Sequence, residues 1–217
     1  MEELGPVVVA ELYGWRITTT VVMSTLLTGF LTFVSFLSTR HLQDIPGRLQ
    51  NTLETVVELL EGLVEDNMGE KGKDYFPFIG TLFLYILLSN WMGAIPGLRS
   101  PTSDINVTVA LAVIVLLASH VYGLSKKGLA HFKHYLEPMP IFLPLNLMEE
   151  VTKPLSLAFR LFGNVTGEHI VVAVLGLIVP LLVPVPMSLF GLFTGLIQAL
   201  VFTMLAMVYI TQATEEE

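Results

Sequence analysis

The sequence has no cysteine in its 217 residues and few charged residues, and both shortages narrow what the protein can be. The missing cysteine excludes disulfides, thiol catalysis and cysteine-ligated metal sites. Charged residues make up 14% of the chain against 53% hydrophobic residues, and the mean hydropathy is +0.70, so an ordinary soluble domain is excluded. The net charge of -8 argues against nucleic acid as a partner. The composition indicates a polytopic, all-α membrane protein.

The first fifteen residues, MEELGPVVVAELYGW, contain neither a basic stretch nor a small-residue cleavage site. A secretory signal peptide requires both features. We therefore expect the first apolar segment to remain in the mature chain.

Apolar segments of membrane length predict about five transmembrane helices. The predicted segments are an outer N-terminus at 1–16, span one at 17–37, an interfacial helix at 46–66, span two at 75–94, span three at 105–124, span four at 145–179, span five at 187–211 and an inner tail at 212–217. A helix over 153–179 alone would measure ~40 Å, against ~30 Å of hydrocarbon. Span four is therefore expected to tilt, curve or lie partly in the membrane plane.

The segment at 46–66 differs from the spans because its apolar residues recur at helical spacing and leave one face polar. That face carries four carboxylates, which are Glu54, Glu58, Glu61 and Glu65. Carboxylates do not attract anionic lipid, so we expect this amphipathic helix to lie at the membrane surface with its acidic face toward water or a partner protein.

The distribution of basic residues predicts the orientation of the chain. With five crossings and the N-terminus outside, the inner side would hold Arg40, Arg48, Lys71, Lys73, Lys126, Lys127, Lys133 and Lys153, and the outer side only Arg16 and Arg99. This asymmetry fits the positive-inside rule and predicts that the acidic C-terminus lies inside.

Arg160 needs an explanation because it lies within span four. A guanidinium near the bilayer centre costs at least ~2.5 kcal/mol, so it persists where it faces protein, water or a counter-charge. One alternative is that Arg160 snorkels to the nearer surface or pairs with a carboxylate of its own chain. The functional alternative is that its charge serves ion movement.

Other polar residues accompany Arg160 at membrane depth. Asn164 and Glu168 follow it at four and eight residues, on the same side of a helix, whereas His169 lies about 180° away. In span five, Gln198 is the main polar residue. Asn164 and Gln198 could equally join helices by hydrogen bonds, and His169 could be a satisfied interior histidine.

Two GxxxG pairs occur in the same spans: Gly163 with Gly167, and Gly191 with Gly195. We interpret both as small residues that let helices approach closely.

These residues carry a resemblance to a known family. The stretches KPLSLAFRLFGNVTGEH, GLFTGLIQALVFTMLAMVYITQATEEE and SNWMGAIPGLRSPTSDINVTVALA resemble subunit a of the F-type ATP synthase, and look most similar to its chloroplast and cyanobacterial branch. The resemblance covers the chain from about Tyr75 to its end, and more weakly the first span and the acidic helix.

The resemblance implies roles for individual residues. Arg160 matches the family's arginine that faces the rotating ring of c subunits, and Gln198 matches the glutamine beside it. Asn164 matches a polar residue of the ion path, and His169 matches a titratable residue of the outer half-channel, with Glu168 one position earlier. Three further matches, of residues near the outer entrance, are Asn90, Asp104 and Asn106.

One position departs from the family pattern. The family often has a second titratable residue seven positions before the glutamine, and this sequence has Gly191 there. Whether Glu168, His169 or both pass the proton inward is left open by the resemblance.

The resemblance implies a stator subunit with two offset half-channels that couples proton flow to rotation and ATP synthesis, without catalysis of its own. It implies no cofactor and no metal. The implied partners are the c-subunit ring, the b subunits of the peripheral stalk, the catalytic head and membrane lipid. The expected location is a bacterial plasma membrane, or alternatively a thylakoid membrane.

Two other classes of membrane protein are alternatives. An ion-coupled secondary transporter or channel subunit would place paired broken helices in two related halves, and the sequence shows no such symmetry. An intramembrane enzyme would need a nucleophile with a base or a metal set, and neither His-Glu-x-x-His nor a convincing serine motif is present.

Overall fold

The computed structural model describes residues 8–12, 15–40, 47–95, 98–128, 140–178 and 184–214. Within these ranges, six helices are α1 Thr19–Thr39, α2 Arg48–Met68, α3 Phe76–Met92, α4 Ile105–Lys127, α5 Leu143–Ile178 and α6 Pro184–Thr214. A short antiparallel strand pair, β1 Val8–Leu12 and β2 Trp15–Thr18, precedes α1 and was not predicted. Several parts of the predictions lie outside the described residues, among them residues 1–7 of the outer N-terminus, Lys133 of the inner side and the tail residues 215–217.

Four helices are long and apolar enough to cross a membrane, and they are α1, α4, α5 and α6. The fifth apolar helix, α3, has 17 residues and reaches ~26 Å at 1.5 Å per residue. The predicted class of an all-α polytopic membrane protein is confirmed.

Local sequence signals explain where several helices begin and end. Asp104 caps α4 by accepting the backbone N–H of Asn106 at 3.0 Å, and Thr18 caps α1 by accepting the N–H of Val21 at 3.4 Å. The residues after α2 and α4 are Gly69 and Gly128, whose φ angles are 66° and 60°. Only glycine adopts this left-handed conformation without steric cost, so both helices stop there.

The centre of the bundle is formed by α3, α4, α5 and α6. Fully buried side chains meet there from each of these helices: Ile86, Val115, Leu161 and Phe202 are at most 1% exposed. Helix α2 joins the bundle only through its second half, where Leu60 and Val64 are buried toward α3 and α6. Its carboxylates Glu58 and Glu65 stay exposed on the other side.

The outer surfaces of the helices are apolar, as a lipid environment requires. On α1, Leu26, Phe30 and Phe33 are each 57% to 61% exposed, and α5 exposes Phe159 in the same way. In water such a continuous apolar surface would be unfavourable, whereas in hydrocarbon it carries no cost.

Helix α5 is the longest element, with 36 residues and a length of ~54 Å at 1.5 Å per residue. Pro154 lies inside it and cannot donate a hydrogen bond to the carbonyl of Glu150, which is a common cause of helix bending. A helix of this length exceeds the ~30 Å of hydrocarbon, so it must incline or bend within a membrane.

The short turn after α2 contains a glycine that is required for close packing. A Cβ atom at Gly72 would lie 2.9 Å from Cγ1 of Val64 and 3.1 Å from the backbone oxygen of Val64. We expect Gly72→Ala to destabilise the fold by about 1 to 3 kcal/mol, because the helix backbone cannot yield. The thermal midpoint of the purified chain in detergent, followed by helical circular dichroism, measures this effect.

The matched control is Gly62→Ala, also in this region, because a Cβ there meets nothing within 4 Å. This variant should be neutral or more stable by up to about 1 kcal/mol. Equal midpoints for the two variants would contradict the packing argument.

Candidate functional site

Arg160 lies at the surface of α5, although its neighbours Leu157 and Leu161 are buried. Its side chain is exposed, and among the described residues it forms no hydrogen bond or ion pair. The alternative that Arg160 pairs with a carboxylate of its own chain therefore finds no support in the described part of the chain. Its charge is available to a partner or to water.

Two amide side chains have unused hydrogen-bonding capacity. Asn164, one turn after Arg160, is half-buried and has no hydrogen-bond partner within the described ranges. Gln198 on α6 is buried, and its Nε2 lacks a partner among the described residues. An unsatisfied buried amide costs ~1 to 3 kcal/mol, so each amide is suited to bind water or an outside group.

Glu168 packs against α6 at the position where a glycine replaces a side chain. A Cβ atom at Gly191 would overlap the Glu168 carboxylate, so the carboxylate occupies the volume that a side chain at 191 would fill. Thr194 Oγ1 donates a hydrogen bond of 3.5 Å to Glu168 Oε2. Glu168 can therefore adopt this position only because residue 191 is a glycine.

His169 points to a different neighbour. Its Nε2 lies close to Gly93, which follows α3, because a Cβ atom added at Gly93 would lie only 2.7 Å from it. The same added atom would lie 3.2 Å from Cβ of Ser100, in the segment before α4. Adjacent helical residues diverge by about 100°, which explains why Glu168 meets α6 and His169 meets the α3–α4 connection.

The α3–α4 connection contains a buried hydrogen-bond network. Ser100 Oγ donates to the backbone oxygen of Ser89 at 2.7 Å and lies 2.7 Å from Thr102 Oγ1. Thr102 in turn donates to Asn90 Oδ1 at 2.7 Å, and Asn90 Nδ2 donates to the backbone oxygen of Gly195 at 3.0 Å. This network joins α3, the connection and α6 beside His169.

Asp104 and Asn106 belong to a neighbouring cluster. Asp104 Oδ1 accepts from both the backbone N–H and Nδ2 of Asn106, at 3.0 and 2.9 Å. Its Oδ2 accepts from Thr20 Oγ1 at 2.7 Å, which joins α4 to α1. Asp104 is buried, so a full set of hydrogen-bond donors satisfies its carboxylate.

A cleft of about 640 Å³ separates α1 from α3 and α4 beside this cluster. Asp104 and Asn106 line one end, and Ser24 and Tyr85 share a 2.6 Å hydrogen bond across the helices that form it.

The two GxxxG pairs behave differently. Gly191 and Gly195 contact Glu168 and Asn90, so they allow polar side chains of the same chain to approach α6. A Cβ added at Gly163 or Gly167 meets nothing within 4 Å, so this pair is not used for packing among the described residues.

Several interacting residues were not predicted from the sequence, namely Thr20, Gly93, Ser100, Thr102 and the pair His120 with Glu150, whose Nε2 and Oε1 atoms are 3.6 Å apart. Small hydroxyl residues in a loop are too common to stand out in a sequence. The one available signal was the dense SPTSD run directly before an apolar helix, which is typical of a helix cap.

Together, the fold and these groups define a polytopic α-helical membrane protein that holds an exposed arginine, two amides and two titratable side chains on its two longest helices. The family model described as ATP synthase A chain matches residues 19–211. The chain belongs to this family, the non-catalytic, proton-translocating stator subunit of the membrane sector of the F-type ATP synthase. The resemblance to subunit a is therefore confirmed, while its likeness to the chloroplast and cyanobacterial branch stays a prediction. The chain is an integral membrane component of the ATP synthase complex.

Two substitutions at Asp104 can separate the contribution of its hydrogen bonds to stability from the contribution of its negative charge. We expect Asp104→Ala to destabilise the protein by about 1 to 3 kcal/mol, because the helix cap and the Thr20 hydrogen bond are both lost. Asp104→Asn retains acceptor capacity for the cap and should cost less than half as much. Detergent melting curves of both variants test this order, and equal midpoints would contradict it.

Proposed function

We propose that this chain forms two offset half-channels for protons, with Arg160 as the fixed charge that faces a carboxylate of the rotating c ring. The observation that carries the proposal is the exposed guanidinium of Arg160 on an apolar helix, without a partner among the described residues of its own chain. A charge that costs at least ~2.5 kcal/mol in hydrocarbon requires a compensating group, and a passing rotor carboxylate would supply it.

The rotor carboxylate is subject to the same constraint. It cannot face lipid while ionised, so it must bind a proton before it leaves the stator. Near Arg160 the positive charge favours the ionised carboxylate, so a rotor site releases its proton on arrival and binds another on departure. Because a guanidinium stays charged, Arg160 does not carry protons itself.

The surface around Arg160 suits close contact with a partner helix. Gly163 and Gly167 lie three and seven residues after Arg160, within about 60° of it around the helix, and neither meets another side chain within 4 Å. Small residues allow backbones to approach closely in membranes. We therefore assign this side of α5 to the rotor contact.

For the outer half-channel, we assign an order to the two titratable residues. The network of Asn90, Thr102 and Ser100 reaches the Gly93 contact of His169, and so connects the α3–α4 connection with α5. Glu168 lies on the α6 side, about 80° around the helix from Arg160, whereas His169 lies about 180° from Arg160. A proton would then pass from His169 to Glu168 and on toward Asn164 and the ring.

For the inner half-channel, polar groups follow the Arg160 side of α5 toward its first residues. Lys153 lies seven residues before Arg160, about 20° away around the helix. Its Nζ is 3.1 Å from Glu149 Oε1 and lies 5.8 Å above the ring of Tyr209 on α6. These groups place charges between Arg160 and the first residues of α5, whereas Glu168 lies on the other side of Arg160 along the helix.

The proposed orientation has the N-terminus outside and the C-terminus inside, in a bacterial plasma membrane or alternatively a thylakoid membrane. The proposed partners are the c ring at α5 and α6, the peripheral-stalk b subunits and, through the complex, the catalytic head.

Removing the guanidinium tests the proposal directly. We expect Arg160→Ala to abolish proton-driven ATP synthesis in vesicles containing the complex, while the complex still assembles, because rotor sites would no longer release their protons at the stator. ATP synthesis after an acid–base jump is the measurement. Coupled ATP synthesis near the wild-type rate in Arg160→Ala would contradict the proposed role of Arg160.

Arg48→Ala is the matched control, since Arg48 is an exposed arginine on α2, away from the apolar spans. It should retain synthesis. Arg160→Lys should also lose coupling, because a desolvated lysine can give up its proton and carry it across.

The two titratable residues should not be equivalent. We expect Glu168→Ala to reduce ATP-driven proton pumping more than His169→Ala. Glu168 lies nearer to Arg160 around α5, and position 191, opposite Glu168, is a glycine and offers no second titratable group. Fluorescence quenching of a pH-sensitive dye in inverted vesicles measures pumping. Equal losses in the two variants would show that the angular separation has no functional meaning.

A further inference from the structure

Gly93 has no conformational reason to be glycine. Its φ and ψ angles are -65° and -21°, in the right-handed helical region that every L-residue adopts. This differs from Gly69 and Gly128, whose positive φ angles favour glycine and whose surroundings leave open space for a side chain. The lack of a side chain at position 93 must therefore be explained by its neighbours.

A side chain at position 93 would clash most severely with the imidazole of His169. A Cβ atom at Gly93 would lie 2.7 Å from Nε2 and 3.3 Å from Cε1 of this ring, and 3.2 Å from Cβ of Ser100. Contacts under 3.0 Å force one of the groups to move. The contact involves the edge of the ring that carries Nε2, one of the two nitrogens at which an imidazole can bind a proton.

Ser100 cannot yield easily. It is fully buried, and its hydroxyl donates a 2.7 Å hydrogen bond to the backbone oxygen of Ser89. The connection before α4 is further held by the link from Thr102 to Asn90. A side chain at position 93 would consequently displace the imidazole rather than the connection.

We propose that Gly93 is a positioning residue for His169, which keeps the Nε2 edge of the imidazole at the α3–α4 connection, where it can take a proton from water of the outer half-channel and pass it toward Glu168. This inference rests on the proposed role of His169 as the outer relay. In this proposal, the glycine that follows α3 leaves room for the imidazole of His169. Gly191 on α6 leaves room for the carboxylate of Glu168 in the same way.

The first test compares two glycines of the same region in the assembled complex. Gly93→Ala should lower ATP-driven proton pumping about tenfold at unchanged assembly, since a displacement of ~1 Å in a transfer site can cost up to a hundredfold. Gly80→Ala is the control within α3, because its Cβ would meet only the Phe76 ring at an ordinary 3.5 Å. Equal pumping by the two variants would overturn the proposal.

The second test asks whether the two positions share one volume. Gly93→His combined with His169→Gly would supply the imidazole from α3 to the same space. We expect this double variant to pump better than either single variant, a rescue that a purely structural role for Gly93 does not provide. A double variant no better than the worse single variant would count against the proposal.

The third test does not depend on proton transport. The chain has no cysteine, so Gly93→Cys introduces a single thiol, which together with the His169 imidazole provides two ligands for Cd²⁺. Cd²⁺ should slow maleimide labelling of Gly93→Cys at concentrations about tenfold lower than for Gly93→Cys combined with His169→Ala. Protection that is the same with and without His169 would overturn the contact.

These readouts separate the two hypotheses. Normal pumping by His169→Ala would overturn the relay role and the positioning role that rests on it, even if Cd²⁺ protection demonstrates the contact. Loss of pumping in His169→Ala without His169-dependent protection would leave the relay role standing and overturn the proposal for Gly93.

Discussion

The energetic cost of leaving a polar group unpaired in hydrocarbon governs the arrangement of this bundle. Many polar side chains of the bundle form hydrogen bonds within the chain. Threonines of α1 donate to carbonyls one turn earlier, and Asn90 accepts from Thr102 and donates to a backbone carbonyl of α6. Arg160 and the Nε2 group of Gln198 have no partner among the described residues. Both residues belong to the two longest helices, which form the surface that we assign to the rotor contact in the proposed function.

Glycine has a second role beyond close helix packing. Gly191 and Gly195 lie where Glu168 and Asn90 approach α6, and Gly93 lies where His169 approaches α3. In each case the missing Cβ provides room for a polar side chain from another helix. Both titratable side chains, Glu168 and His169, come from α5, and the facing positions 191 and 93 are glycines. A single helix then holds both groups at fixed separation.

The all-α membrane class could be predicted from the sequence, because the length and composition of each apolar segment are local properties. The separation of Arg160 from His169 around α5 also follows from helix geometry alone. The neighbours of each residue could not be predicted: both GxxxG pairs suggested helix contacts, yet only Gly191 and Gly195 have neighbours within 4 Å. Likewise, the bond from Asp104 to Thr20 depends on how α1 meets α4, which no local pattern encodes.

The placement of two titratable residues in consecutive positions has a mechanical consequence. Because adjacent residues on a helix diverge by about 100°, Glu168 and His169 cannot face the same neighbour, and each needs its own accommodating surface. The structure supplies these surfaces from two helices, α6 at Gly191 and the end of α3 at Gly93. A sliding motion of α5 against either helix would disturb one contact before the other. The proposed proton path through both groups would therefore require α3, α5 and α6 to keep their register. The hydrogen bonds that Asn90 and Trp91 donate to carbonyls of α6 fix the position of α3 against α6.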